Sequence, residues 1–86
     1  MHRAVSVKPM KNYIILVKFD NGEERVYNCF PLINDSLFFK ISDVEFFKTV
    51  HVDDMGVVCW DDSTDINPDI LYEESEPVSD FSFAIA

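Results

Sequence analysis

The sequence predicts an α+β fold, with a small antiparallel sheet built from two hairpins and with two short helices. Two β-rich segments are each interrupted by a glycine-containing turn, at Asn21-Gly22 and at Asp54-Met55-Gly56. Two other segments carry helix-start signals, at residues 42–45 and at Asn67-Pro68. A chain of 86 residues has room for one such domain.

The first strands are predicted around the Asn21-Gly22 turn. Residues 3–8, RAVSVK, alternate as a strand does, and Pro9 ends them. Residues 13–20, YIILVKFD, and residues 23–30, EERVYNCF, are rich in β-branched and aromatic types. Because a type I′ turn requires positive φ at both central positions, Asn-Gly between two such runs is a strong hairpin signal.

A two-residue loop would also fix the pairing register of this hairpin. Lys18 then faces Arg25, and Val17 faces Val26. The predicted core face carries Tyr13, Ile15, Val17, Phe19, Val26 and Phe30.

Past Pro31, PLINDS is predicted as a connection, and a short helix follows it. In SDVE, residues 42–45, Ser42 fits the N-cap of a capping box, with Val44 and Phe47 facing inward. TVHVD, residues 49–53, and VVCW, residues 57–60, then form the second hairpin, in which Gly56 supplies the left-handed residue of the turn.

After Trp60 the pattern becomes polar, and DDSTD at 61–65 is predicted as a loop. The second helix starts with Asn67 as N-cap and Pro68 at the first helical position, where the missing N–H has no consequence. Asp69 suits the positive end of the helix dipole, and Pro77 stops the helix.

Charge is distributed unevenly along the chain, whose net charge is −9. Residues 1–60 contain eight acidic and seven basic residues, whereas residues 61–86 contain eight acidic residues and no Lys or Arg. Such an end repels phosphate backbones, which argues against direct nucleic-acid binding. It suits a basic protein partner, and a solvated acidic segment is the alternative.

The sequence also predicts a compartment. MHRAVSVKPM has no long apolar run of the kind that signal peptides carry, and no stretch approaches the length of a membrane span. We therefore expect a cytoplasmic protein with no membrane partner, in which Cys29 and Cys59 are reduced thiols.

Residues 65–76, DINPDILYEESE, have oxygen ligands at most places of a calcium loop: Asp65, Asn67, Asp69 and Glu76. The loop also needs glycine at its sixth place, which is Ile70 here. Since a helix start explains Asn67 and Asp69 without any ion, no calcium site is predicted.

Zinc and thiol chemistry are not predicted either. His2, His51, Cys29 and Cys59 form no close pair such as C-x-x-C, and no catalytic signature flanks either cysteine. The sequence therefore predicts a non-enzymatic protein with no catalytic residue, cofactor or metal. The alternative is a small enzyme or metal-binding protein that uses the acidic cluster Asp61–Asp69.

The domain is predicted over residues 1–74, and residues 75–86 form an acidic-to-apolar tail. In DFSFAIA, Phe81, Phe83 and Ile85 alternate as a one-sided strand does. This strand could add to the edge of the chain's own sheet, to a second copy, or to another protein. The predicted partner-binding surface comprises Trp60, Asp61, Asp62, Asp65, Phe81, Phe83 and Ile85.

The order of motifs resembles a small bacterial family, the domain of unknown function 2442. The matching stretches span about residues 7–73: VKPMKNYIILVKFDNGEERVYN, FPLI, FFKISDVEFFKTVHVDDMGVVCW and DINPDILYE. The resemblance implies a compact α+β domain with an antiparallel sheet and no established activity. It also implies an antitoxin-like or accessory role beside a small toxin-like protein. Self-association as a homodimer is the other assembly that we expect.

Two features depart from the family pattern. DDSTD replaces the glycine-containing turn expected after the Trp, and DFSFAIA runs past the family's end. Some relatives carry an added helix-turn-helix domain for DNA, but this chain has no segment for one, so that role is not transferred.

Overall fold

The computed structural model describes residues 1–78, and it confirms the α+β fold class. The predicted residues Phe81, Phe83 and Ile85 lie outside this range. Within it, strands and α-helices follow in the order β1 (Ala4–Met10), β2 (Ile14–Phe19), β3 (Glu24–Asn28), α1 (Val44–Phe47), β4 (His51–Val52), β5 (Val58–Asp61), β6 (Thr64–Ile66), α2 (Pro68–Glu74) and β7 (Glu76–Pro77).

The strands form two antiparallel sheets, so the two predicted hairpins do not share one. We call the four-stranded sheet, of order β1-β2-β3-β7, the first sheet, and the three-stranded sheet, of order β4-β5-β6, the second sheet. One buried core cluster draws side chains from both sheets, from α1 and from α2. The sheets therefore stabilise each other through shared apolar burial.

The β2–β3 hairpin is confirmed, but its predicted register is wrong by one residue. Lys18 faces Glu24 and Val17 faces Arg25. The Phe19 N–H donates to the Glu23 carbonyl at 2.9 Å, which makes the loop three residues long, and Gly22 takes a left-handed φ of 88°. This is the common alternative in which a type I turn is followed by a left-handed glycine.

Neighbouring residues of a strand point to opposite faces, so the one-residue shift changes which β3 side chains lie on the core face. Val26 faces Leu16 on the other side of the sheet, and Phe30 is exposed. Arg25 takes the place predicted for Val26, and its guanidinium lies 4.4 Å from the centre of the Tyr72 ring on α2.

Strand β1 continues through Pro9, where the sequence predicted its end. It lies at the edge of the first sheet, where proline's missing N–H is tolerated. The pairing register with β2 shifts between Ala4 and Ser6, and this bulge leaves Val5 exposed while Ala4 is buried. Regular alternation over residues 3–8 would place Val5 and Val7 on one face, and the bulge interrupts that alternation.

The connection from β1 to β2 contains two consecutive left-handed residues, Asn12 at φ 62° and Tyr13 at φ 63°. A tyrosine in this region is an outlier, since its Cβ crowds the backbone. Its ring packs edge-on against Phe47 at 5.2 Å between centroids, and its hydroxyl donates to the Ser42 carbonyl. These long-range contacts hold the loop in its unfavourable conformation.

Helix α1 is confirmed, but its predicted cap is wrong. Asp43 is the N-cap, and its carboxylate accepts from the Glu45 N–H at 3.0 Å. Ser42 instead ends a 3₁₀ turn, and its hydroxyl donates to the Phe39 carbonyl at 2.8 Å. Phe47 faces inward as predicted, whereas Val44 is exposed.

PLINDS, predicted as a plain connection, lies largely within a 3₁₀ turn at Phe30–Asn34. The β4–β5 hairpin is confirmed, with Gly56 at a left-handed φ of 78°. The predicted polar loop DDSTD is wrong at both ends, because Asp61 belongs to β5 and Thr64 and Asp65 belong to β6. Thr64 and Ile66 are buried there, so a one-sided strand follows the turn directly.

The start of α2 is confirmed. The Asn67 side chain accepts from the Asp69 and Ile70 N–H groups, and Pro68 is the first helical residue. Leu71 is buried, and the helix ends before Ser75. β7 then pairs with β3, with Val26 opposite Glu76. Within residues 1–78, no helix is long and apolar enough to cross a bilayer.

Candidate functional site

The outer face of the second sheet carries a groove of about 390 Å³. Its lining side chains are His51, Asp53, Cys59, Asp61, Asp62 and Asp65. We call it the acidic groove, since four of these six side chains are carboxylates. It contains three of the residues predicted to bind a partner, namely Asp61, Asp62 and Asp65.

The strand register builds this groove. Cys59 on the central strand β5 lies between His51 on β4 and Asp65 on β6. Directly opposed residues project from the same face of a sheet, so these three side chains form a row across it. The adjacent register row is Val52, Val58 and Ile66, and its members face the core.

His51 is oriented by two contacts. Its Nδ1 lies 2.9 Å from the Thr49 carbonyl oxygen, and its Nε2 lies 3.5 Å from the Cys59 sulfur. A carbonyl oxygen only accepts, so Nδ1 carries the proton and donates it to Thr49. Nε2 is the ring nitrogen that faces the Cys59 sulfur.

The Cys59 thiol is poorly suited to act as a nucleophile. Burial raises its pKa, and the negative charges of Asp53, Asp65, Asp62 and Asp61 raise it further. A reactive cysteine needs the opposite environment, with a cation or helix N-terminus beside it. The structure thus brings together the Cys–His pair that the sequence left apart, but it surrounds the thiol with anions.

The groove carboxylates divide into two kinds. Asp53 Oδ1 accepts from the Met55 and Val57 N–H groups at 2.8 and 3.0 Å, and so it caps the β4–β5 turn. Asp61 accepts from the Ser63 N–H at 3.0 Å in the next turn. These two carboxylates have structural partners, whereas Asp62 and Asp65 project from exposed positions.

Lys40 lies beside Asp61, with 3.0 Å between its ammonium nitrogen and Asp61 Oδ2. Its charge-assisted hydrogen bond is the main reason that the pKa of Asp61 falls from 3.8 to about 2. The pair also joins the acidic groove to the segment that precedes α1.

Between β3 and the first turn of α1 the chain carries exposed apolar side chains. The sequence predicted Phe30 and Val44 to face the core, and it selected none of these side chains for binding. Phe30 is 53% exposed, Leu37 69%, Phe39 58% and Val44 49%. We call these four residues the apolar segment. The sequence signal was the run LFF after a polar NDS, which has neither strand nor helix periodicity. Leu37 and Phe39 of this run are exposed, whereas Phe38 is half-buried and packs against the core.

Other predicted site residues lie elsewhere. Trp60 is only 4% exposed, and its indole N–H donates to the Phe47 carbonyl at 2.9 Å in the core. Its ring is therefore not available at the groove. Asp69 accepts from the His2 backbone N–H at 2.7 Å and contacts its ring Nδ1 at 2.9 Å. The acidic cluster Asp61–Asp69 is thus divided between two surfaces.

Comparisons with known proteins identify the family alone. No curated protein and no solved structure shows significant similarity to the chain. The model of one family, described as "Protein of unknown function (DUF2442)", matches residues 4–77. This range contains both sheets, both helices and the acidic groove, and it stops before residues 78–86. The chain therefore belongs to the DUF2442 family.

Proposed function

We propose that this protein is a non-enzymatic interaction domain that binds a basic protein partner through the acidic groove and the neighbouring apolar segment. The observation that carries the proposal is the placement of exposed Asp62 and Asp65 on one groove, linked through the Lys40–Asp61 pair to exposed apolar residues. Charged groups beside apolar anchors are the usual composition of a protein interface.

The charge of the acidic groove indicates that the partner's contact surface is positively charged. Lys40, the cation that contacts the groove acids, is paired with Asp61 at 3.0 Å, and residues 61–86 contain no Lys or Arg. The negative charge of the groove would accelerate the approach of a basic surface. Contacts between opposite charges would then fix the orientation of that surface.

The apolar segment would contribute to the affinity for the partner. Phe30, Leu37, Phe39 and Val44 are large side chains that a monomer leaves in water within one stretch of 15 residues. Aromatic and aliphatic anchors supply most of the binding energy of an interface once a partner excludes water from them. The apolar segment would therefore supply affinity and the acidic groove would supply specificity.

We propose that the partner is a small toxin-like protein and that this chain is its antitoxin-like or accessory subunit. A homodimer is the competing assembly. A two-fold contact centred on the groove would place Asp62 and Asp65 of one copy against the same residues of the other. Because like charges repel, self-association at this surface is disfavoured.

Partner capture tests the proposal. The tagged chain is used to isolate its partner from its native lysate, and the purified partner is then titrated against variants. We expect Asp62→Lys combined with Asp65→Lys to weaken binding about tenfold or more, and added salt to weaken wild-type binding. Glu73→Lys on the exposed side of α2 is the control, since each substitution reverses a carboxylate but Glu73 does not line the groove.

Two further variants separate the contributions. Phe39→Ala removes an exposed anchor, and we expect weaker binding with an unchanged salt dependence. A chain lacking residues 79–86 measures the predicted contribution of Phe81, Phe83 and Ile85. Binding that survives both the charge reversal and Phe39→Ala would contradict the proposed surface.

A further inference from the structure

We propose that a pocket between the β1–β2 connection and α1 binds a small organic carboxylate that has an aromatic or aliphatic body. This site is separate from the acidic groove, and it does not depend on the proposed partner binding. It rests on the size and composition of one cavity, on the conformation of its wall, and on the two lysines that line it.

The cavity has the size and the walls of a small-molecule site. Its volume is about 480 Å³, and small-molecule sites usually enclose about 300–1,000 Å³. Such sites combine mostly apolar walls with a few polar groups that orient the ligand. The apolar and aromatic lining residues here are Pro9, Met10, Tyr13, Val44 and Phe47. A ligand with a ring system or a short alkyl chain would bury that part against these side chains.

One wall of the pocket is held in an unusual backbone conformation. Asn12 and Tyr13 both have left-handed φ, and both line the cavity. Residues in such sparsely populated conformations persist where surrounding contacts hold them, and they are common at ligand sites. The Tyr13 ring packs against Phe47, and its hydroxyl donates to the Ser42 carbonyl. This wall is therefore formed before any ligand arrives, which lowers the entropic cost of binding.

The charge of the pocket is opposite in sign to that of the chain. The net charge of the chain is −9, yet Lys11 and Lys48 line the cavity and none of its lining residues is acidic. The Lys48 ammonium lies 3.7 Å from the Glu45 carboxylate, and both side chains are exposed, so water weakens this pair. Lys11 forms no ion pair within residues 1–78. A carboxylate at the pocket would therefore gain charge-assisted contacts with both ammonium groups.

The polar lining residues favour a carboxylate over a phosphate. Phosphate sites usually add to lysine an arginine fork, a glycine-rich turn or a helix N-terminus. The polar residues of this pocket are Lys11, Asn12 and Lys48, and neither arginine nor glycine lines it. A singly charged ligand also suits the apolar walls, because its charge stays in water beside the exposed lysines.

Titration of the full chain with naphthoate, followed by amide NMR correlation spectra, tests the site. We expect saturable binding with chemical-shift changes concentrated at residues 10–13 and 44–48. Naphthalenemethanol has the same ring system without the charge, and it should bind about tenfold more weakly. Acetate has the charge without the ring system, and it should also bind about tenfold more weakly or less. Inorganic phosphate at the concentration of naphthoate should not displace it.

Substitutions at the rim of the pocket assign the charge. Lys11→Gln and Lys48→Gln should each weaken naphthoate binding about three- to tenfold and leave naphthalenemethanol binding unchanged. Both lysines are exposed, so these variants should fold as the wild type does. Lys8→Gln on β1 is the matched control, because Lys8 is exposed and does not line the pocket. Val44→Trp would fill the cavity from an exposed position, and it should weaken the binding of both ring compounds.

Several results would overturn the assignment. Equal affinity for naphthoate and naphthalenemethanol would show that the lysines do not recognise a carboxylate. Unchanged naphthoate affinity after both lysine substitutions are combined would place the anion elsewhere. Shifts centred on the apolar segment would indicate adsorption to exposed apolar side chains, and displacement by phosphate would indicate a general anion site. Absence of saturable naphthoate binding to the wild type would also exclude the proposed site.

Discussion

The two sheets of this domain differ in how they use their surfaces. In the first sheet, charged residues face their own complements: Lys18 lies opposite Glu24, and Arg25 donates to the Ser75 hydroxyl at 2.7 Å. In the second sheet, one face is apolar and the other collects carboxylates beside a histidine and a thiol. These two cations of the first sheet have partners within the chain, whereas the second sheet presents a cluster of carboxylates.

The second sheet is too small to be stable alone. Its strands are two, four and three residues long, and short isolated strands are marginal in water. Its stability comes from the core that it shares with the first sheet, to which Val58, Trp60 and Ile66 contribute. Packing against the first sheet therefore stabilises a second sheet whose exposed carboxylates repel one another.

The largest expected effect tests whether the two sheets unfold together. Ile15 is fully buried in β2, so Ile15→Ala should lower the free energy of unfolding by about 2–5 kcal/mol. Trp60, the one tryptophan of the chain, reports on the second sheet. Its fluorescence and the far-ultraviolet circular dichroism should give coincident denaturation curves, and separate transitions would show two independent units.

A pair of glycine variants tests the junction between the sheets. A Cβ at Gly56 would lie 2.8 Å from the Arg3 Cβ, whereas a Cβ at Gly22 meets nothing within 4 Å. Both glycines have left-handed φ, so Gly22→Ala should cost about 1–2 kcal/mol from the backbone alone. Gly56→Ala should cost more, because the Ala4 N–H to Gly56 carbonyl bond of 2.9 Å must also adjust. Equal losses of unfolding free energy in urea would contradict this close contact.

Alkaline pH should affect the first sheet through Cys29. Burial beside β3 raises the pKa of this thiol from 9.0 to about 12. A raised folded-state pKa contributes stability that is complete below pH 9 and is lost as pH rises toward 12. The slope is at most about 1.4 kcal/mol per pH unit for one such group.

Cys29→Ala should therefore flatten the fall in unfolding free energy between pH 9 and 11, although the variant starts less stable. The desolvation of Tyr27 raises its pKa to about 12 and leaves a residual slope above pH 10. A curve as steep in Cys29→Ala as in the wild type would contradict the assignment to this thiol.

The smallest effect distinguishes the observed register of the first sheet from the one that the sequence predicted. Lys18→Glu should destabilise the protein by about 0.2–1 kcal/mol, because position 18 faces Glu24. With the predicted register the sign reverses, since the substitution would relieve repulsion from Arg25. Lys8→Glu on the same face of the sheet, opposite Leu16, is the control for the charge change.

The elements that the sequence predicted correctly are those with local signals. The side chain of Asn67 and the ring of Pro68 determine the start of α2 within four residues, and Gly56 alone marks the β4–β5 turn. Such signals depend on backbone conformation, which neighbouring residues largely decide.

The sequence predictions were wrong where two local backbone conformations have similar energies. Asn21-Gly22 fits a two-residue loop, yet the three-residue loop has almost the same sequence preferences, and the packing of Arg25 over Tyr72 favours it. For the same reason Asp43 displaced Ser42 as the cap of α1. Strand β6 was missed because only Thr64 and Ile66 alternate, beside a run of polar residues.

The candidate site was predicted in part. The acidic residues at 61–65 identified the groove's charge, but a contact between residues 51 and 59 depends on cross-strand register. The burial of Trp60 likewise depends on which face of β5 meets the core.

Tyr13 links the closure of the β1–β2 connection to a distant part of the chain. Its left-handed backbone is unfavourable by about 1–2 kcal/mol in isolation. The Ser42 carbonyl that accepts from its hydroxyl is 29 residues further along. During synthesis, β1 and β2 leave the ribosome before Ser42 does. The connection between them is then expected to stay open until Ser42 and Phe47 have also emerged.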